Sequence, residues 1–259
     1  MTKQSKVKAL ATTAFLNTAP IALVLLAWEM AVRTGAIKAF FLPLVSEVLV
    51  HFWSALKSGE LAEHFLITIG RMTLGFGIGA SAAIVFGLVI GLSPFLLRFF
   101  SPIVAAIYPL PKIALLSLFL VIFGVGDAPI VASVAVSCFF PVLLNTLAGL
   151  ASIDPILIKA ARDLGASRTK TTLYVVLPGS LPMIFTGLRQ SSAVALIMVI
   201  AVEMYIGQSG AGHQLAWATQ FFDINLLYTY IVAIGLFGIL LFKALDFAER
   251  FFLPWANRS

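Results

Sequence analysis

Residues Ile158 to Pro182 read IKAARDLGASRTKTTLYVVLPGSLP, and they concentrate charge in Lys159, Arg162, Asp163, Arg168 and Lys170. The chain around them is of another kind. Of its 259 residues 61% are hydrophobic and only 11% charged, a balance that soluble domains rarely show. Apolar runs of span length lie on both sides of the segment, so it reads as a polar loop between membrane helices. The bilayer core offers no water to backbone N–H and C=O groups, and the runs are too long for barrel strands. The expected fold class is therefore all-α, a polytopic helical bundle in a membrane.

Working outward from the loop, six stretches reach the roughly 20 mainly apolar residues that a span needs: 12–33, 65–92, 102–124, 128–150, 183–206 and 227–249. Lys3, Lys6 and Lys8 precede the first. The run from Ala9 to Val32 is longer than the apolar part of a signal peptide, and Ala31, Arg33 and Gly35 make a poor cleavage site, so a first span is expected. Basic residues gather on cytoplasmic loops. Lys3, Lys6, Lys8, Arg98, the 158–182 segment, Arg250 and Arg258 then fall inside, which gives an N-in, C-in bundle. The opposite loops carry Asp127, Glu203 and Asp223, while Lys38 and Lys57 are offset by Glu47, Glu60 and Glu63. The same rule accounts for the net charge of +6 without nucleic acid. The expected organisation is an N-terminal span with an external amphipathic segment (1–63), in which Phe41, Leu44, Val48, Leu49, Phe52, Trp53 and Leu56 recur at near-helical spacing, then a five-helix core (64–255) containing the loop 152–182.

In the second span Gly75, Gly79, Ala83, Gly87 and Gly91 recur every fourth residue, a stripe along which another helix approaches closely, for static packing or for sliding. Cys138 is the only cysteine, which excludes an intrachain disulfide and a thiolate metal cluster. His51, His64 and His213 are scattered, and no HExxH or GxxxxGK[ST] occurs. Gly124-Val125-Gly126-Asp127 fits the GxGD of intramembrane aspartyl proteases, but no second aspartate lies within a span to share a proton. A self-sufficient channel or ion-coupled carrier is the rival within transport. Its charges would be Glu29, Arg71, Lys112, Arg189 and Glu203, all expected near span ends, where long side chains reach the interface.

Within the loop, Asp154-Pro155 is a helix start and Gly165 fits the left-handed position that ends a helix. Leu157, Ala160, Ala161 and Leu164 form an apolar face, with Lys159, Arg162 and Asp163 on another side. A second short helix is expected from Ser167 to Leu177, broken by Pro178 and Pro182. Lys159-Ala160-Ala161, Gly165 and Val175-Val176-Leu177-Pro178 stand at the spacing of E-A-A, three residues, Gly, nine residues, I-x-L-P. The segment resembles the EAA loop of the inner-membrane permeases of binding-protein-dependent ABC importers, with Lys159 in place of the glutamate and Val175 in place of the isoleucine.

The resemblance runs from about His64 to Trp255 and is closest to the sulfonate, taurine and nitrate branch. Thr68-Ile69-Gly70-Arg71, Phe123 to Asp127, Phe140 to Thr146, Thr186 to Arg189, Val202-Glu203-Met204 and Leu253-Pro254-Trp255 carry it in order. Tyr108-Pro109-Leu110-Pro111-Lys112 stands where the branch has a proline pair. The resemblance implies a type I importer permease fold with no catalytic residue and no cofactor of its own. It implies coupling of Lys159, Ala160, Ala161, Arg162, Asp163, Gly165, Arg168, Leu177 and Pro178 to two copies of a separate ATPase that binds ATP and Mg. It further implies a periplasmic or lipid-anchored solute-binding protein, a second copy of this chain, and a place in the bacterial inner membrane. Arg189, Gln190 and Glu203 are candidates for the translocation path. A sulfonate, taurine or nitrate is the implied solute, with thiamine-precursor pyrimidines and aromatic acids as rivals.

Overall fold

The computed structural model describes residues 19–254, all of whose regular structure is helical. Lys3, Lys6, Lys8, the first part of the expected 12–33 span, Trp255 and Arg258 lie outside the described residues. The chain is helical over 19–33 (α1), then Val45–Ser58 (α2), Glu60–Gly91 (α3), Pro94–Ile107 (α4), a 3-10 turn Lys112–Leu115 into Leu116–Phe123 (α5), and Asp127–Ala151 (α6). Pro155–Asp163 (α7), Arg168–Thr171 (α8), a π turn Thr172–Val176, Leu177–Ile206 (α9), Ala211–Gln220 (α10) and Ile224–Phe252 (α11) complete it. Among the described residues, four stretches are long and apolar enough to cross a membrane, or five if α4 and α5 count as one bent span.

The centre is α6, sandwiched between α3 and α9, with Val134, Cys138, Val142 and Leu143 fully buried among Met72, Ala83, Ala195 and Val199. The small-residue stripe of α3 faces α6. A Cβ built on Gly75 would come within 2.7 Å of the Val134 side chain, one on Gly87 within 2.8 Å of Thr146, and one on Gly79 would fall on the Ala135 carbonyl; Gly91 abuts Leu150 and Ala83 has no exposed surface. Lipid tails are as apolar as leucine, so this close approach, with the dispersion contact it permits, is what joins the two helices. On α2, Val48 and Ala55 pack on the bundle while Leu49, Trp53 and Leu56 are exposed. Trp28 Nε1 donates to Pro43 O at 2.9 Å, and Ser46 Oγ to Glu29 at 2.9 Å, tying α1 to the start of α2.

Two expectations are corrected. The span at 102–124 is not continuous: the chain turns by 88° between α4 and the 3-10 turn. Pro109 and Pro111 lack the N–H that would continue the ladder, and their rings crowd the preceding turn. The loop's second helix, by contrast, is not broken from the next span. Arg168–Ile206 is one helical stretch of 39 residues, within which Pro178 lies in the first turn of α9 and Pro182 in its interior. The π turn makes this possible, because Leu177 N–H bonds to Thr172 O, five residues back. That wider turn gives the Pro178 ring room where an ordinary turn would clash.

Candidate functional site

The loop 152–182 is built from local signals. Asp154 Oδ1 accepts from Ile156 N at 2.8 Å and Pro155 occupies the first turn of α7. At the far end Gly165 has φ +83°, Gly165 N–H bonds to Arg162 O at 2.9 Å and Ala166 N–H to Ala161 O at 3.0 Å. This is a left-handed helix stop that a residue with Cβ adopts only under strain. Ser167 Oγ then accepts from Lys170 N at 3.3 Å and starts α8.

The apolar face of α7 differs from the expected one. Ile158 and Ala161 turn inward and are half-buried, whereas Leu157, Ala160 and Leu164 face outward with Lys159, Arg162 and Asp163. Periodicity groups Leu157, Ala160, Ala161 and Leu164 on one side of the helix but does not say whether that side meets the bundle. Leu164 is 88% exposed and Ile156 69%, beside exposed Arg168 and Lys170. Apolar surface rimmed by charge is the composition of a docking surface. Leu177 and Pro178 are half-buried at the foot of α9.

A second cluster lies at the other end of the bundle. The Arg71 guanidinium contacts Glu203 Oε1 at 2.8 Å, Asp127 Oδ1 at 2.6 Å, Ser209 O at 2.7 Å and Ser209 Oγ at 3.1 Å. Thr68 Oγ1 donates to Glu203 Oε2 at 2.9 Å and accepts from Ala211 N at 2.8 Å, while Gly212 N donates to Oε2 at 3.0 Å. The Glu203 carboxylate thus sits at the N-terminus of α10, where free N–H groups and the helix dipole favour an anion. Its closeness demands small residues: a Cβ on Gly210 would come within 2.5 Å of Glu203 Oε1, and one on Gly212 within 2.6 Å of its Cβ.

The expectation that Arg71 and Glu203 reach to the interface is corrected. The Arg71 side chain is 9% exposed and Glu203 0%, and they pair with each other. Asp127, 70% exposed, is held by Arg71. Glu203 is therefore closed off in this conformation, unlike the other path candidates. Arg189 pairs with Asp246 at 2.5 Å and with Glu249, and exposed Gln190 accepts from Asn145 Nδ2 at 3.2 Å. The expectation for Lys112 is corrected too: it stands not near a span end but at the bend before α5, level with the middle of α6, 5.0 Å from the centroids of both Tyr108 and Phe140. The partnership of Thr68, Arg71, Ser209 and Glu203 was missed from sequence, although opposite charges a few residues inside two spans were a visible signal for it.

Comparisons agree with this geometry. The family model described as "Binding-protein-dependent transport system inner membrane component" matches residues 79–258. The taurine transport system permease protein TauC of Escherichia coli is 29% identical, covering 93% of this chain and 89% of its own. The riboflavin transport system permease protein RibX of Chloroflexus aurantiacus is 31% identical over 91% and 89%. A chain from the crystal structure of an amino acid ABC transporter with histidines shares the fold, at a TM-score of 0.59 and 20% identity, covering 78% of this chain and 96% of that one. An ABC permease is not an enzyme, and ATP hydrolysis belongs to a separate subunit. An all-α bundle with the sequence match over 79–258 and a shared permease fold has one assignment: the chain belongs to the family of binding-protein-dependent transport system inner membrane components.

Proposed function

We propose that this chain forms, with a second copy, the translocation path of an importer in a bacterial inner membrane, and that its solute is a small anion of the sulfonate class delivered by an extracytoplasmic binding protein. The exposed apolar and basic surface of α7 and α8 carries the coupling half of this reading. It is where two ATP- and Mg-binding subunits dock, with Lys159, Ala160, Arg162, Asp163 and Arg168 outward and Ala161, Leu177 and Pro178 holding the knob to the bundle. The likeness to a taurine permease supports the solute class, and the core 64–255 carries the transport, with 1–63 as an added peripheral element.

Uptake of an alkanesulfonate in vesicles containing the permease, its ATPase and its binding protein tests this, with ATPase pull-down in parallel. A Cβ at Gly165 meets no atom within 4 Å, so the cost of Gly165→Val is mainly backbone strain, about 1–2 kcal/mol. That is too small to unfold the bundle. It tilts α8, so the variant is expected to insert normally, to lose most uptake and to bind the ATPase weakly, while exposed Lys159→Ala is mild. Parental uptake by Gly165→Val with its ATPase firmly bound would refute the coupling role.

The N-in, C-in orientation predicts opposite exposure of two sites. In a Cys138→Ser background, Thr169→Cys is expected to resist an impermeant thiol reagent in intact cells and Gln208→Cys to react. The reverse pattern inverts the topology.

A further inference from the structure

The bend between α4 and α5 places a cation at mid-membrane. α6 has 25 residues, enough at about 1.5 Å each to cross the roughly 30 Å hydrocarbon core, and Phe140 is near its middle. The Lys112 ammonium is 5.0 Å from the Phe140 ring centroid and equally far from that of Tyr108, and it donates to the Tyr108 carbonyl. From this depth a lysine side chain is too short to bring its charge to either interface. Arg98 lies near the start of α4, away from the bend, and the deeper cations of the spans are accounted for. Arg71 is saturated by Glu203, Asp127 and Ser209, and Arg189 by Asp246 and Glu249. Lys243 lies in the last third of α11, near the end where Asp246, Glu249 and Arg250 gather. Lys112 forms no ion pair among the described residues.

A charge in low dielectric is costly, and two ring faces offset it only in part, with about 0.5–2 kcal/mol each. Such a cation is ready to take an anion, because no carboxylate has to be released first. We propose that Lys112 is a contact for the anionic group of the transported solute, a sulfonate or comparable oxyanion, within the membrane. The Tyr108 and Phe140 rings hold the ammonium when no solute is present. The broken span provides the irregular backbone that spanning proteins tolerate only where it is buried in protein or lines a water-filled cavity. This assignment rests on the reading of the chain as an anion permease.

The test uses the whole complex in proteoliposomes with butanesulfonate as the probe, comparing wild type, Lys112→Met, Lys112→Arg and, as a surface control, Lys57→Met. Loss of one charge-assisted contact predicts that Lys112→Met takes up butanesulfonate about 10- to 100-fold more slowly. It should dimerise and copurify with its ATPase as wild type does. Lys112→Arg is expected to keep at least about a third of the uptake, since the charge remains, and Lys57→Met to match wild type. Unchanged uptake by Lys112→Met overturns the assignment, as does an arginine variant no better than the methionine one. Failure of Lys112→Met to dimerise or bind its ATPase also overturns it, and assigns the lysine to packing or to a carboxylate of the second copy. If the wild-type complex itself takes up no butanesulfonate or other sulfonate but carries a neutral solute, and Lys112→Met carries that solute equally well, the anion reading falls together with the lysine.

Discussion

Arg71→Met is expected to destabilise the fold by about 3–5 kcal/mol, the cost of leaving a buried charge without its partner. Glu203 has no exposed surface, and the neutral donors Thr68 and Gly212 do not replace a cation. A large fall in the melting temperature of the detergent-solubilised protein would show it. Arg71→Met/Glu203→Met should recover most of the loss, because an ion pair replaced by apolar groups of similar volume is often neutral. Recovery will stop short by about 1 kcal/mol, because the carboxylate also caps α10. Asp127→Asn, at the exposed end of the same network, should cost about 1 kcal/mol or less. A single Arg71 variant as stable as wild type would mean that the cluster does not hold α3, α9 and α10 together.

Gly79→Ala is the second large effect. Its added Cβ would fall on the backbone carbonyl of Ala135, which is held in the α6 ladder and yields only if the helices part. Overpacking of this kind costs about 1–3 kcal/mol, and a main-chain obstacle places it at the upper end. Gly77→Ala, two residues away, has nothing within 4 Å and should stabilise α3 by up to about 1 kcal/mol through helix propensity. Gly87→Ala meets Thr146 at its Cγ2 and Cβ, side-chain rather than main-chain atoms, and should fall between the two. Thermal stability of the three variants, measured side by side, checks the order. If Gly79→Ala proves as stable as Gly77→Ala, the α3–α6 contact is looser than the geometry requires.

What was legible in the sequence follows from the range of the forces concerned. Local rules sufficed for the cap at Asp154, the left-handed Gly165 and the small-residue face of α3, because each is decided within one or two turns of chain. The prolines were harder to read. Pro109 and Pro111 stand beside the end of α4 and bend the path, whereas Pro178 follows a π turn that admits it, and the composition of a single window does not separate the two cases. Arg71 and Glu203 are 132 residues apart, and a contact at that separation is set by how α3 and α9 meet. Without that meeting, each charge reads as one that reaches to the interface alone. The outward turn of Leu157 and Leu164 was illegible for a related reason: periodicity groups the apolar side of α7 but does not say whether that side meets the bundle or faces away from it.

The unbroken passage from Arg168 to Ile206 has a mechanical consequence. At about 1.5 Å per residue its 39 residues form a lever of about 58 Å, with α8 at one end and Glu203 within a turn of the other. For an arm of that length, each degree of tilt at one end displaces the opposite end by about 1 Å. A rigid tilt of this arm would therefore shift the Arg71 cluster together with α8. The π turn is the one place where the arm's hydrogen-bond register is already altered, so it is where bending stress would gather, close to the knob and far from the load.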